Sequence, residues 1–139
     1  MEFLSKNILD KDYKEDENAV KSCKLIGLYF SAHWCPPCKA FTPILADFYK
    51  KVNANEKQIE IIFISCDREK NQYKEYFSEM PWLTLPYQDV RIEALSEEYG
   101  CKGIPYLVIL KSDGTLVTKT GKNEVGTSGE AAIKNWLGK

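Results

Sequence analysis

The chain has 139 residues, the length of one domain, and 44% of them are hydrophobic against 28% charged, which excludes a disordered or collagen-like chain. Its 19 Lys and Arg offset 20 Asp and Glu to leave a net charge of −1, so no basic footprint points to a nucleic acid or an anionic bilayer. The longest apolar run, Leu25 to Phe30, is six residues against the ~20 that cross a membrane, so neither nucleic acid nor membrane is an expected partner.

Residues 1–22 are polar and rich in lysine and acids, with apolar pairs at Phe3-Leu4 and Ile8-Leu9. They read as an N-terminal extension or small hairpin within a single domain of residues 1–139. The first residues carry neither the apolar stretch of a secretory signal nor an arginine-rich transit pattern, so the expected address is cytoplasmic. Cysteines there stay reduced, and an odd number of them, Cys23, Cys35, Cys38, Cys66 and Cys101, is a poor disulfide framework.

Leu25 to Phe30 is the continuous apolar run of a strand covered on both faces. From Pro36 to about Asn53, Cys38, Phe41, Leu45, Phe48 and Val52 recur at three- and four-residue steps and predict a helix with one buried stripe. Pro36 and Pro37 suit its first turn, where a missing N–H costs little, and Pro43 inside it predicts a kink. Ile59 to Ser65 reads as a second buried strand, and Tyr73, Tyr76, Phe77 and Met80 as an amphipathic helix. Met80 to Pro86 is too rich in proline for regular structure and reads as a loop. Ile92, Leu95 and Tyr99 mark a short helix stopped by Gly100. Tyr106 to Leu110 is a strand, Asp113-Gly114 a turn, and Leu116 to Thr120 the partner strand. Ala132, Ile133, Trp136 and Leu137 suggest a closing helix. The order predicts an α/β fold: a central mixed sheet, parallel through helical crossovers and then antiparallel through a hairpin, with helices on both faces.

The chemistry lies in Trp34-Cys35-Pro36-Pro37-Cys38. Two thiols at i and i+3, one just before a helix and one in its first turn, can close a small disulfide ring. Cys35 sits where unpaired helix N–H groups and the helix dipole favour negative charge. Cys38 falls on the apolar stripe with Phe41 and Leu45, where desolvation opposes ionisation. Cys35 is therefore the expected nucleophile toward a substrate disulfide, and Cys38 the sulfur that resolves the mixed disulfide in an intramolecular step. Zinc would need a second pair of ligands that Cys23, Cys66, Cys101 and His33 do not supply, so no metal is expected. Haem attachment would need His where Lys39 stands.

The string Tyr29-Phe30-Ser31-Ala32-His33-Trp34-Cys35-Pro36-Pro37-Cys38 resembles the active-site signature of the thioredoxin superfamily, in its nucleoredoxin and tryparedoxin branch. The likeness continues through Tyr76 to Trp82, Leu85-Pro86-Tyr87 and Tyr99 to Pro105, and covers about residues 24–125. It implies a thioredoxin-like fold and a thiol-disulfide oxidoreductase, a protein-disulfide reductase in redox homeostasis or redox signalling. No bound cofactor is implied. Electrons would come from NADPH through a thioredoxin reductase, or from a low-molecular-weight thiol such as glutathione. The implied partners are disulfide-containing proteins, and the implied state is a monomer with a cytoplasmic and also nuclear address. A rival reading is a redox-regulated binding module that docks on a signalling protein or transcription factor.

The resemblance also implies a cis Pro105 facing the dithiol, with the Ile104 backbone free to pair with an extended substrate segment. Ile104 and Pro105 join Trp34, Pro36, Pro37 and Trp82 as substrate-binding candidates, the two tryptophans as rings that shield the dithiol and stack on substrate. Two departures matter. Thioredoxins usually carry a buried Asp six positions before the first active-site Cys, with a lysine paired to it; here those positions hold Tyr29 and Phe63. Water, Tyr29 or a nearby acid would have to move the proton of Cys38 instead. Tryparedoxins carry a Trp just before an Asp near the site, where this chain has Cys66-Asp67, which argues against trypanothione as its reductant. His33 is expected to face solvent and Cys66 to be inert. Cys101, beside Gly100 and Lys102, is the candidate accessory thiol, oxidisable or able to link two chains.

Overall fold

Strand β1 (Leu25–Ser31) and strand β2 (Ile59–Ser65) are buried along their whole length, as their largely apolar runs require, with Glu60 the one charged residue in them, and pair in parallel from Leu25 beside Ile59 to Ser31 beside Ser65. The computed structural model describes residues 7–16 and 23–139. A parallel pair needs a crossover, and helix α1 (Pro36–Val52) supplies it with its stripe of Cys38, Phe41, Leu45, Phe48 and Val52 turned inward. Helix α2 (Lys70–Phe77), the short strand β3 (Leu83–Thr84) and helix α3 (Arg91–Glu98) follow. Strand β4 (Tyr106–Lys111) returns antiparallel beside β1, β5 (Leu116–Thr118) pairs with it, and helices α4 (Gly121–Ser128) and α5 (Ala131–Leu137) close the chain. The sheet order is β3-β2-β1-β4-β5, so the two strands that carry the site lie near its centre.

Side chains alternate across the sheet. Leu25, Tyr29, Ile61, Phe63, Leu107 and Ile109 face a core closed by α1, α2, α4 and α5. Ile26, Leu28, Phe30, Ile62, Ile64, Val108 and Leu110 face the other core, closed by Leu95 of α3, Tyr99 and Ile8. The expected mixed sheet with helices on both faces is therefore present. Among the described residues no helix is long and apolar enough to cross a membrane.

Three local expectations change. The segment from Met80 to Pro86 is not all loop: Leu83 and Thr84 pair with Ile62 and Phe63, and Thr84 also exchanges backbone hydrogen bonds with Leu9 at 2.8 and 3.0 Å. A two-residue strand between prolines has no alternation to read. The partner strand ends at Thr118, not Thr120, because the chain turns there into α4. That helix gave no periodic signal, since Gly121 and Val125 are its buried residues. Contacts at its ends hold it instead: Glu124 accepts from the hydroxyls of Thr118 and Thr120 at 2.6 and 2.8 Å and from Trp136 Nε1 at 3.0 Å. At the amino end a Leu9–Glu15 bridge makes a small hairpin, while Phe3-Leu4 and residues 17–22 lie outside the described residues.

Gly121 is there for room. A Cβ on it would sit 2.9 Å from Leu107 Cγ and 3.0 Å from the Leu107 carbonyl oxygen. Gly121→Ala is expected to lower stability by ~1–3 kcal/mol, read by urea denaturation, because neither the strand backbone nor its packed leucine can move aside cheaply.

Candidate active site

The site forms where β1 ends and α1 begins. Cys35 is the N-cap of α1 in extended backbone (φ −101°, ψ 108°), with Pro36 and Pro37 filling the first two helical positions. Those prolines have no N–H to offer, so the first donor available to the cap is the N–H of Cys38, and it points at Cys35 Sγ at 3.3 Å. The opposite wall is the Ile104–Pro105 peptide bond, which is cis, and the Cys35 thiol directs its proton at the Ile104 carbonyl at 3.8 Å. Cys35 keeps only 5% of its surface exposed and Cys38 none. Burial pushes the Cys38 thiol up to about 12, and the neighbouring Cys35 adds to the rise, while Ser31 and the Ala32 backbone oppose it. The two sulfurs thus differ in setting: Cys35, itself mostly buried, caps the helix within reach of a backbone N–H, and Cys38 is sealed behind it.

The loop after β2 braces the loop after β1. Asp67, buried, accepts the His33 N–H at 2.7 Å and the Ser65 hydroxyl at 2.8 Å, while its own N–H donates to Ser65 at 3.0 Å. Trp34 is 46% exposed; its Nε1 donates to the Cys66 carbonyl at 3.3 Å and its ring lies 5.3 Å from the Arg68 guanidinium. Both loops sit at the carboxyl ends of parallel strands, the usual place for a site in a sheet of this kind. Among the described residues no three His, Cys, Asp or Glu side chains converge as metal ligands.

A thioredoxin-like family model matches residues 22–116, which include both strands and the dithiol. The chain belongs to the thioredoxin-like family. It is 37% identical over 136 residues to the nucleoredoxin of Danio rerio and 48% identical over 101 residues to that of Homo sapiens. These matches take in 97% and 72% of the chain but only 32% and 23% of those longer proteins. Among solved structures, tryparedoxin from Trypanosoma brucei superposes with a TM-score of 0.85 at 34% identity, covering 95% of this chain and 92% of that one. The chain is thus a thioredoxin-like domain, similar to nucleoredoxins and tryparedoxins.

In this thioredoxin-like frame the predicted residues divide. Trp34, Pro36 and Pro37 are exposed or partly exposed around Cys35, and Ile104 and Pro105 face it. Trp82 does not join them. It is 0% exposed and packs edge-on against Tyr29 and Tyr49, at 5.9 and 5.7 Å between ring centroids, so it is a core residue rather than a substrate platform. Cys101 is half-buried and donates to the Gly103 carbonyl at 3.5 Å, and burial pushes its thiol up. Tyr29 stands beside Phe63 in the sheet, with no carboxylate between them, and its hydroxyl bonds Thr42 at 2.7 Å. Asp67, Ser65 and Arg68 were not singled out from the sequence. The signal for Asp67 was its place two residues beyond a buried parallel strand, an address that periodicity does not weigh.

Beside the Cys38 thiol, burial raises three further groups: the Tyr49 and Tyr73 phenols to about 12 and the Cys66 thiol to about 11. Their ordinary values are 9.0 for the thiols and 10.0 for the phenols. The folded state therefore holds protons that the unfolded state releases first, so stability is complete below about pH 9 and drains away as pH climbs toward 12. Unfolding free energy is expected to stay level from about pH 7 to 8.5 and to fall steadily above 9. Cys66→Ser should shallow that fall; a level profile through pH 10.5 would contradict it.

Proposed function

We propose that this chain is a protein-disulfide reductase, with Cys35 as the attacking sulfur and Cys38 as the resolving one. The observation that carries the reading is the asymmetry of the pair. Cys35 Sγ caps the helix within reach of the Cys38 N–H, whereas Cys38 is enclosed and its thiol is pushed up to about 12. Attack by Cys35 on a substrate disulfide breaks the S–S bond and forms a mixed disulfide with one substrate sulfur. The other substrate sulfur leaves as a thiol in this step; Cys38 then bonds to Cys35, and the sulfur held in the mixed disulfide leaves as the second thiol. Backbone of an extended substrate segment pairs with Ile104, and the exposed Trp34 ring covers its side chains. Arg68 places a cation beside Trp34 and favours acidic partners. Reducing equivalents come from NADPH through a thioredoxin reductase or from a glutathione-type thiol, in a cytoplasmic and nuclear setting, with the domain acting as a monomer.

Insulin reduction followed by turbidity tests the reading. Turnover is expected with NADPH and a thioredoxin reductase, or with glutathione and its reductase, and whichever supports it names the electron source. Stoichiometric capture of one protein that survives both Cys35→Ser and Cys38→Ser, without turnover, would establish a binding module instead.

A further inference from the structure

Resolution requires Cys38 to give up a proton inside an enclosed site, and the usual carboxylate position holds Tyr29. A chain of hydroxyls runs from this sulfur toward the surface. Ser31, the last residue of β1, is the side chain that steadies the Cys38 sulfur in its ionised form. Ser31 Oγ lies 2.7 Å from Tyr76 Oη, Tyr76 Oη bonds Thr42 Oγ1 at 2.5 Å, and Thr42 Oγ1 lies 2.7 Å from Tyr29 Oη. With the single Thr42 proton directed at the Cys38 carbonyl, Tyr76 and Tyr29 donate to Thr42 and Ser31 donates to Tyr76, so the chain is ordered away from the sulfur. Thr42 also donates to the Cys38 carbonyl at 2.9 Å, which ties the network to the turn of α1 that carries the thiol.

All four hydroxyl residues are buried, yet Thr42 and Tyr76 line a surface cleft of about 360 Å³ that Asp47 and Glu79 also line. The network therefore begins at Ser31, whose side chain acts on the Cys38 thiol, and ends at a surface cleft rimmed by Lys39, Asp47, Lys50 and Glu79. We propose that Ser31, Tyr76 and Thr42 form a proton relay that carries the Cys38 proton to this cleft, in the role a buried acid plays elsewhere. The proposal rests on the dithiol exchange described above.

The step balances. Cys38 passes its proton to Ser31 Oγ, Ser31 passes its own to Tyr76 Oη, Tyr76 passes its own to Thr42 Oγ1, and the Thr42 proton turns from the Cys38 carbonyl to water in the cleft. The electron pair left on Cys38 forms the Cys38–Cys35 bond as the Cys35–substrate bond breaks, and the departing substrate sulfur takes a proton from solvent. Burial holds the Tyr76 phenol above its usual range, so the relay hands on protons between neutral hydroxyls and needs no phenolate. Ser31 is the member that meets the reacting sulfur. Tyr76 and Thr42 act through it, and Tyr29 holds Thr42 in place.

A chromogenic aryl disulfide, 5,5′-dithiobis(2-nitrobenzoate), separates the two half-steps in a single turnover of the Cys66→Ser/Cys101→Ser protein. The first equivalent of aryl thiolate reports attack by Cys35 and the second reports attack by Cys38. Tyr76→Phe and Thr42→Val are expected to slow the second phase roughly 10- to 100-fold near neutral pH and leave the first within about twofold. The solvent deuterium isotope effect on the second phase should fall toward unity in both, and Thr42→Ser should restore rate and isotope effect together. An unchanged second phase, or one slowed with its isotope effect intact, overturns the relay alone. A second phase that persists in Cys38→Ser overturns the exchange reading itself, and the relay with it.

Discussion

Cys38→Ser is expected to turn the protein into a trap. Cys35 still attacks, but a serine hydroxyl cannot displace the substrate, so the mixed disulfide accumulates until an outside thiol resolves it. Well-placed intramolecular groups act at effective concentrations of ~10⁵ M or more, far above any millimolar thiol, so steady turnover should drop by at least ~100-fold. Cys35→Ser removes the attacking sulfur and leaves Cys38, which is fully enclosed and whose thiol is pushed up to about 12. It should lose turnover equally and trap almost nothing. The check is non-reducing electrophoresis of each variant with insulin or a cell extract, followed by release with dithiothreitol. Equal trapping by the two variants would reject the roles assigned to the sulfurs.

The second large effect separates two tryptophans. Trp82 is enclosed by Tyr29 and Tyr49, and its indole N–H has no hydrogen-bond partner among the described residues. Trp82→Ala should cost ~3–5 kcal/mol in denaturant unfolding, because it leaves a cavity between packed rings that cannot close up. Trp82→Phe, which also removes the unpaired N–H, should recover most of that. Trp34 stands at the mouth of the site, held by one hydrogen bond to the Cys66 carbonyl and by the Arg68 guanidinium over its ring. Trp34→Ala should change stability by less than ~1 kcal/mol and lower turnover on a protein substrate instead. Loss of activity in Trp82→Phe greater than in Trp34→Ala would return Trp82 to the site.

The sequence announced most strongly the elements whose pattern is set by burial. Leu25 to Phe30 is apolar throughout, and Ile59 to Ser65 is apolar but for the buried Glu60 and Ser65, because both faces of β1 and β2 are covered; the inward stripe of α1 includes Cys38, so the enclosure of that side chain was legible before the fold was known. Elements held by long-range contacts were not legible. Helix α4 depends on Glu124 reaching Trp136, and β3 depends on Leu9 and β2, partners far along the chain. Trp82 misled because an amphipathic ring suits a site that stacks on substrate, whereas its segment folds inward against Tyr29 and Tyr49. The brace of Asp67 on His33 and the hydroxyl chain through Ser31, Thr42 and Tyr76 join residues from separate elements. Their spacing along the chain carries no trace of that meeting.

The account stands on unequal sulfurs, and limited alkylation tests this most directly. The fully reduced protein is treated near neutral pH with less than one equivalent of iodoacetamide, and the label is located by peptide mass spectrometry. Label on Cys35 with Cys38 unmodified is the predicted result. Equal labelling of the two, or label on Cys38 first, would contradict it.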